Sequence, residues 1–131
     1  MYYQLDLSGP VPIYEQVMDQ IKGAIAAGAI APGETIPSVR ELARELAINP
    51  NTVARAYRDL QKEGIVLFNR GLGLAVAEES PEICRRERVN VFESRVNRLL
   101  DDALRSRLDP ETIRSIVLAQ LDALAPIPSE N

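Results

Sequence analysis

The chain has 131 residues, a length that suits one compact domain or a small domain with an appendage and excludes a large catalytic barrel. Apolar residues make up 46% of the sequence and charged residues 26%, which indicates a packed core and excludes a disordered polymer. The formal net charge is −4, which argues against indiscriminate binding of nucleic acid through a broadly basic surface.

The first predicted elements are a short strand and a helix. Alternating apolar and polar residues at positions 3–7 are typical of a strand. Pro12 then suits the first turn of a helix, where its missing amide hydrogen costs nothing, and Gly28 supplies a terminator. Between them one apolar stripe recurs every four residues, at Ile13, Val17, Ile21 and Ile25.

Two short helices joined by a tight turn are predicted next. Ser38 and Glu41 match the capping box, in which a hydroxyl and a carboxylate three residues apart satisfy free amides at a helix start. Asn49 can cap the following helix, Pro50 fits its first position, and Gly64 ends it. The second helix of this pair therefore begins with polar residues.

A hairpin and two further helices complete the chain. The apolar residues 65–68 and 74–77 flank a polar, glycine-rich segment, which is typical of a β-hairpin. A long helix is signalled from Ser80 and breaks near Leu108, and Asp109 can cap a last helix.

This order of elements predicts a mainly α-helical fold with a small β-hairpin. We interpret residues 1–77 as a winged helix-turn-helix and residues 78–131 as a two-helix C-terminal region. In a winged helix-turn-helix the start of the third helix enters the major groove of DNA, which is about 12 Å wide, and the hairpin flanks it. Amide, hydroxyl and guanidinium groups, which pair with base edges and phosphates, crowd that start at Asn49, Asn51, Thr52 and Arg55.

Several runs of residues also carry a family resemblance. They are residues 12–16 (PIYEQ), 37–43 (PSVRELA) and 49–57 (NPNTVARAY), followed by Arg70 and Gly71. Over residues 10–77 the chain resembles the DNA-binding domain of GntR-type bacterial transcription regulators, and its two-helix remainder is similar to the YtrA-like subfamily. The resemblance implies DNA contacts at Arg40 and at the hairpin around Arg70 and Gly71, in addition to the four residues of the third helix. It also implies that the remainder serves chiefly for dimerisation.

The two C-terminal helices each carry an apolar stripe and are too small to form a core of their own. We expect two copies of the chain to bury these stripes in a two-fold homodimer. The alternative is that the stripes pack back on the winged domain of the same chain. The residues concerned are Phe92, Val96, Leu99, Ala103, Ile113, Val117, Leu121 and Leu124.

Missing residue types exclude most enzymatic chemistry. Histidine is absent, which removes the usual general base and histidine-ligated metals, and Cys84 is the only cysteine. We therefore predict that the protein is not an enzyme and holds no metal or cofactor. No apolar stretch approaches the roughly 20 residues that cross a bilayer, and no signal-peptide pattern is present, so we expect no membrane partner and a cytoplasmic location.

The function predicted from these observations is sequence-specific regulation of transcription. A homodimer would bind a pseudo-palindromic operator in double-stranded DNA, and the resemblance favours a repressor. The alternative, supported by the acidic net charge, is a winged-helix module that binds proteins without reading DNA. A small-molecule effector is left open, since two helices offer little concave volume for a metabolite.

Overall fold

The computed structural model describes residues 5–124, which form five α-helices and one two-stranded antiparallel sheet. The elements are α1 (Ile13–Ala26), α2 (Val39–Leu46), α3 (Pro50–Lys62), β1 (Val66–Asn69), β2 (Gly73–Val76), α4 (Ser80–Arg105) and α5 (Pro110–Leu124). The predicted fold class, mainly α with a small hairpin, is confirmed. Packing divides the chain into a first unit that ends at Val89 and a second unit that begins at Asn90.

The sequence predicts a strand at residues 3–7, and this prediction is wrong for residues 5–7. Residues 3 and 4 lie outside the described part of the chain, and residues 5–7 form no strand. Their backbone is instead paired by a side chain of α1. The amide of Asp6 donates to Oε1 of Gln16 at 2.7 Å, and Nε2 of Gln16 donates to the carbonyl of Asp6 at 2.8 Å. A glutamine side chain therefore takes the place that a neighbouring strand would have had.

The helix starts follow the local signals in the sequence. The amide of Glu41 donates to Oγ of Ser38 at 3.1 Å, and the amide of Ser38 donates to Oε1 of Glu41 at 2.9 Å, which completes the predicted capping box of α2. Hydrogen bonds from the backbone and side chain of Ser38 lower the pKa of Glu41. At the start of α3 the amide of Asn51 donates to Oδ1 of Asn49 at 2.8 Å, and Pro50 occupies the first helical position.

The first four helices are each followed by a residue with positive φ. Gly28 and Gly64, both expected terminators, have φ of 82° and 76°. Ala47 and Arg107 adopt the same left-handed region with φ of 56° and 70°, although a β-carbon makes that region unfavourable. Ala47 lies in the turn between α2 and α3, so the helix-turn-helix connection holds a non-glycine residue in a strained conformation.

The core of the first unit lies between α1, α2, α3 and the hairpin. Side chains from each of these elements are fully buried, including Val17, Ile21, Ile25, Leu42, Val53, Leu60, Ile65 and Val66. The connection between α1 and α2 joins this arrangement through residues 33–36, which pair with β2. The amide of Gly33 donates to the carbonyl of Val76, and the amide of Ile36 donates to the carbonyl of Leu74, each at 2.9 Å. The hairpin is thereby fixed to the chain that precedes α2.

The beginning of α4 is packed into the first unit. Cys84 has no exposed surface, and the buried hydroxyl of Ser80 donates to the carbonyl of Ile65 at 2.6 Å. Nη1 of Arg85 donates to the carbonyl of Ala26 at 3.1 Å and therefore satisfies a free carbonyl at the end of α1. These contacts extend the first unit to Val89, beyond residue 77, where the sequence predicts the end of the winged domain. The functional division into residues 1–77 and 78–131 stays a prediction.

A buried lysine joins three elements of the first unit. Nζ of Lys22, on α1, lies 2.8 Å from Oε1 of Glu63 after α3 and 2.8 Å from Oε1 of Glu87 on α4. Burial alone would lower the pKa of Lys22, but the hydrogen bonds and charges of the two carboxylates raise it above its ordinary value. For the neighbouring thiol of Cys84, burial has the opposite effect and raises the pKa. Lys22 therefore stays charged and holds the end of α3 and the start of α4 against α1.

The second unit contains the rest of α4 and α5. Asp109 begins α5 as predicted, because its Oδ1 accepts from the hydroxyl of Thr112 at 2.6 Å and its Oδ2 from the amide of Thr112 at 3.4 Å. These bonds lower the pKa of Asp109. In residues 90–124, the part of this unit that the structure describes, no residue is buried. The helices are formed, but within one chain their apolar side chains remain accessible.

Candidate nucleic-acid interface

The third helix is held by one face, which leaves the other face accessible. Val53, Ala56, Tyr57 and Leu60 are buried against the core. The hydroxyl of Tyr57 also donates to the carbonyl of Pro37 at 2.7 Å, which fixes α3 to the segment that precedes α2. α3 is therefore packed against the core and bonded to the segment before α2, and it presents its remaining face outward.

The outward face of α3 combines one amide with a row of cations. Helical periodicity places Asn51, Arg55, Arg58 and Lys62 opposite the buried positions, and all four are exposed. Thr52 flanks this row and is half-buried, whereas Asn49 is exposed at the cap. The side-chain oxygen of Asn49 is occupied by the amide of Asn51, so its NH₂ group is the part of the side chain that can donate to a ligand.

The two predicted contact sites outside α3 are also exposed. Arg40 lies in the first turn of α2. Arg70 and Gly71 occupy the turn of the wing, the name used here for β1, β2 and their connection at residues 66–76. Asn69 and Gly73 are the last paired residues of the hairpin, and the amide of Leu72 donates to the carbonyl of Asn69 at 2.9 Å, which closes the turn. All the predicted DNA contacts thus lie on the first unit, and their role in binding stays a prediction.

One contact at the predicted interface was not foreseen from the sequence. The guanidinium carbon of Arg55 lies 3.8 Å from the centroid of the Tyr14 ring, within the range of a cation–π contact. Tyr14 lies in the first turn of α1 and is half-buried. The two residues are far apart in the sequence, so the only available signal was the combination of an arginine and an aromatic residue on helices that pack together.

Charge is concentrated locally despite the acidic total. Residues 38–71 contain six basic and four acidic side chains, although the whole chain has a net charge of −4. Acidic side chains gather instead on the side of α3 toward α1, around a cavity of about 290 Å³. Its lining residues are Tyr14, Glu15, Met18, Asp19, Lys22, Asp59 and Glu63. The outward face of α3 is therefore basic, and this separation can attract a phosphate backbone to one side of the unit.

The residues predicted to form a dimer interface are accessible to different extents. Five are exposed, among them Phe92 at 68%, Leu99 at 66% and Leu124 at 80%. The remaining three, Val96, Ala103 and Ile113, are half-buried. We refer to the set of eight as the dimerisation face, composed of Phe92, Val96, Leu99, Ala103, Ile113, Val117, Leu121 and Leu124.

Neither a candidate metal site nor a membrane-spanning helix is found among the described residues. Among residues 5–124 no group of cysteine, aspartate and glutamate side chains has an arrangement that could hold a metal ion. Within the same range, no helix has both the length and the apolar character needed to span a bilayer.

Known proteins are similar to the chain in sequence and in fold. The family described as "Bacterial regulatory proteins, gntR family" matches residues 13–76. The HTH-type transcriptional repressor YtrA of Bacillus subtilis (strain 168) is 37% identical over 100 residues, which cover 76% of this chain and 77% of YtrA.

Solved structures agree with this match. A GntR family transcriptional regulator from Listeria monocytogenes has a TM-score of 0.72 at 28% identity, covering 88% of this chain and 98% of that one. The DNA-binding domain of AraR, solved in complex with operator ORX1, has a TM-score of 0.50 at 30% identity and covers 58% of this chain and all of that one.

Proposed function

The chain belongs to the gntR family of bacterial regulatory proteins, and we propose that this transcriptional regulator acts as a homodimeric repressor on a pseudo-palindromic operator in double-stranded DNA. The observation that carries the proposal is the outward face of α3, which starts with the exposed amide of Asn51 and continues as a row of cations. The operator complex of the related AraR domain supports DNA as the ligand.

The side chains divide by chemistry into those that read bases and those that hold the backbone. Asn51 can pair with adenine through two hydrogen bonds, and Thr52 can contact a thymine methyl group. Asn49 lies at the helix N-terminus, where phosphates bind favourably, so its NH₂ group is suited to a phosphate. Arg40 on α2 and the wing turn at Arg70 and Gly71 would supply the remaining contacts.

A dimer provides the second set of contacts that a palindrome requires. The dimerisation face leaves large apolar side chains accessible in a single chain, and a two-fold interface would bury the same residues from both copies. Two helix-turn-helix units then bind half-sites whose centres are about 34–36 Å apart, one turn of the double helix. A repressor of this kind would compete with the start of transcription at the site that it occupies.

The first experiment is selection of bound fragments from sheared genomic DNA, followed by titration of the selected duplex and of a random duplex at several salt concentrations. We expect the selected duplex to bind more tightly, with an affinity that falls steeply as salt rises. Binding without any preference over random duplex, together with recovery of protein partners, would support the protein-interaction alternative.

A matched pair of variants tests the reading role of α3. Asn51→Ala should weaken binding to the selected duplex by about 1–3 kcal/mol, while binding to random duplex changes little. Gln61→Ala removes an exposed amide from the other end of the same helix and should leave both affinities within about twofold. Equal losses for the two variants would contradict base reading by Asn51.

A further inference from the structure

The contact between Tyr14 and Arg55 connects a residue of α1 to the outward face of α3. Arg55 lies four residues after Asn51 and therefore one helical turn along the same face. Its guanidinium is placed over the Tyr14 ring, with 3.8 Å between the guanidinium carbon and the ring centroid. The hydroxyl of Tyr14 is directed to a different group, Oε1 of Glu15, at 3.4 Å. Tyr14 therefore contacts Arg55 through the face of its ring and not through its hydroxyl.

Stacking constrains the arginine without using its hydrogen-bond donors. All five N–H groups of a guanidinium lie in its plane and point outward, whereas a ring above the plane contacts only the π face. An arginine held in this way can still form a forked pair with the oxygens of a phosphate. The contact also restricts a long, flexible side chain before any ligand is bound, so less freedom is lost on binding.

The position of Arg55 favours a phosphate over a base edge. Base reading in a helix-turn-helix is concentrated in the first residues of the recognition helix, where Asn51 and Thr52 lie. Arg55 is one turn further on, and its side chain extends toward α1, as its contact with Tyr14 shows. Glu15 and Asp59 line the cavity beside Tyr14 on this flank, so the exposed guanidinium of Arg55 is the group there that suits the phosphates bordering the groove.

We propose that Tyr14 is a positioning residue for DNA binding, whose ring holds the guanidinium of Arg55 ready to pair with a backbone phosphate. The proposal rests on the proposed function of the chain as a DNA-binding regulator. It gives α1, which carries none of the predicted contact residues, a direct role in affinity. The orientation of the Arg55 guanidinium can be changed through Tyr14, whereas its charge is removed only by replacing Arg55. The two contributions to DNA affinity can therefore be tested independently.

The test is a double-mutant cycle in the full chain, with binding measured on the selected duplex and on random duplex. Arg55→Ala should weaken both by roughly tenfold and reduce the slope of log affinity against log salt by about 1, as expected for one lost phosphate contact. Tyr14→Leu should weaken both by roughly three- to tenfold but leave the slope unchanged, because the charge of Arg55 remains. Tyr14→Leu/Arg55→Ala should bind no more weakly than Arg55→Ala alone.

Two conservative variants separate stacking from a merely structural role. Tyr14→Phe keeps the ring and should bind within about twofold of the unmodified chain, whereas Arg55→Lys keeps the charge but loses the planar fork and should resemble Tyr14→Leu. Arg55→Lys also keeps the inference testable should Tyr14→Leu fail to fold, because it leaves α1 intact.

Specific results would overturn the inference. The first is a loss of DNA affinity from Tyr14→Leu that is equally large when Arg55 is already alanine. The second is a loss of affinity from Tyr14→Phe as large as that from Tyr14→Leu. The third is unchanged affinity in Arg55→Ala. If Asn51→Ala weakens binding while Arg55→Ala does not, the positioning role alone is refuted. If the unmodified chain binds no duplex, the proposed function and this inference fail together.

Discussion

The two units of the chain treat their apolar side chains in opposite ways. In the first unit Ile21, Leu42 and Leu60 have no exposed surface, whereas in the second unit Leu99 and Leu124 are 66% and 80% exposed. Both units contain helices that begin at a side-chain cap, such as Ser38 in the first and Asp109 in the second, so local signals alone do not account for the difference. The first unit supplies its own core, whereas the second unit leaves an apolar surface accessible, which we propose is covered by a second copy of the chain.

The largest expected effect concerns the core of the first unit. Leu60→Ala should lower the free energy of unfolding by about 2–5 kcal/mol, because it leaves a cavity at a fully buried site. Leu99→Ala is the control in the second unit and should change the free energy of unfolding of the monomer by less than about 0.5 kcal/mol. Urea denaturation at a protein concentration where light scattering shows monomers provides the measurement. Similar losses for both variants would contradict the comparison.

The next effect concerns association through the second unit. Leu121 is 57% exposed, and Leu121→Asp should raise the dissociation constant of the dimer by at least about 30-fold, because it places a charge in an interface that excludes water. Ser115→Asp adds the same charge on the opposite side of α5 and should have little effect. Analytical ultracentrifugation distinguishes the two. A monomeric unmodified chain at every concentration would refute the dimer.

A smaller effect appears at alkaline pH and belongs to the first unit. The raised pKa values of Cys84 and Lys22, whose ordinary values are 9.0 and 10.5, contribute stability that is complete below those values. This contribution is lost as the pH rises through the folded-state values, so the free energy of unfolding should fall above about pH 9. Denaturation at pH 7–11 should show a shallower fall near pH 9 for Cys84→Ala.

Acid acts on a helix start in each unit, at Glu41 in the first and at Asp109 in the second. The lowered pKa of Asp109 contributes stability above its ordinary value of 3.8, and this contribution is lost as the pH falls through the lower folded-state value. The start of α5 should therefore fray in acid and be insensitive to alkali. Amide exchange at Thr112, whose amide is bonded to Asp109, reports this directly.

The smallest expected effect is a gain in stability at a helix end. Ala47→Gly should raise the free energy of unfolding by about 0.5–1 kcal/mol, because glycine adopts positive φ without the penalty of a β-carbon. Arg107→Gly makes the same change in the second unit. Ala54→Gly, in the interior of α3, is the control and should lower stability by about 1 kcal/mol. Thermal unfolding measures all three, and a loss from Ala47→Gly would contradict the strain inferred there.

Features that depend on neighbours in the sequence were predicted correctly. The caps at Ser38 and Asn49 use donors and acceptors within three residues, so the local pattern determines them. The pairing of Gln16 with Asp6 and of residues 33–36 with β2 depends on how distant segments pack. For this reason the predicted strand is wrong at residues 5–7, and the third run of backbone pairing beside the wing is not predicted.

The candidate site shows the same division. Periodicity was sufficient to predict that Asn51 and Arg55 share an accessible face of α3. It could not show that Arg55 stacks on Tyr14, or that the start of α4 is attached to α1 by Lys22, because both contacts join residues from separate helices. Side-chain partners across a core are set by three-dimensional packing, which a single sequence does not display.

The two ion pairs of Lys22 have a consequence for how this fold can vary among relatives. One ammonium neutralises carboxylates from two other segments, so replacing Lys22 alone would leave Glu63 and Glu87 close together without a counter-charge. An apolar residue at position 22 should therefore occur together with uncharged residues at positions 63 and 87. In an alignment of the family, we expect the residues at these three positions to change together.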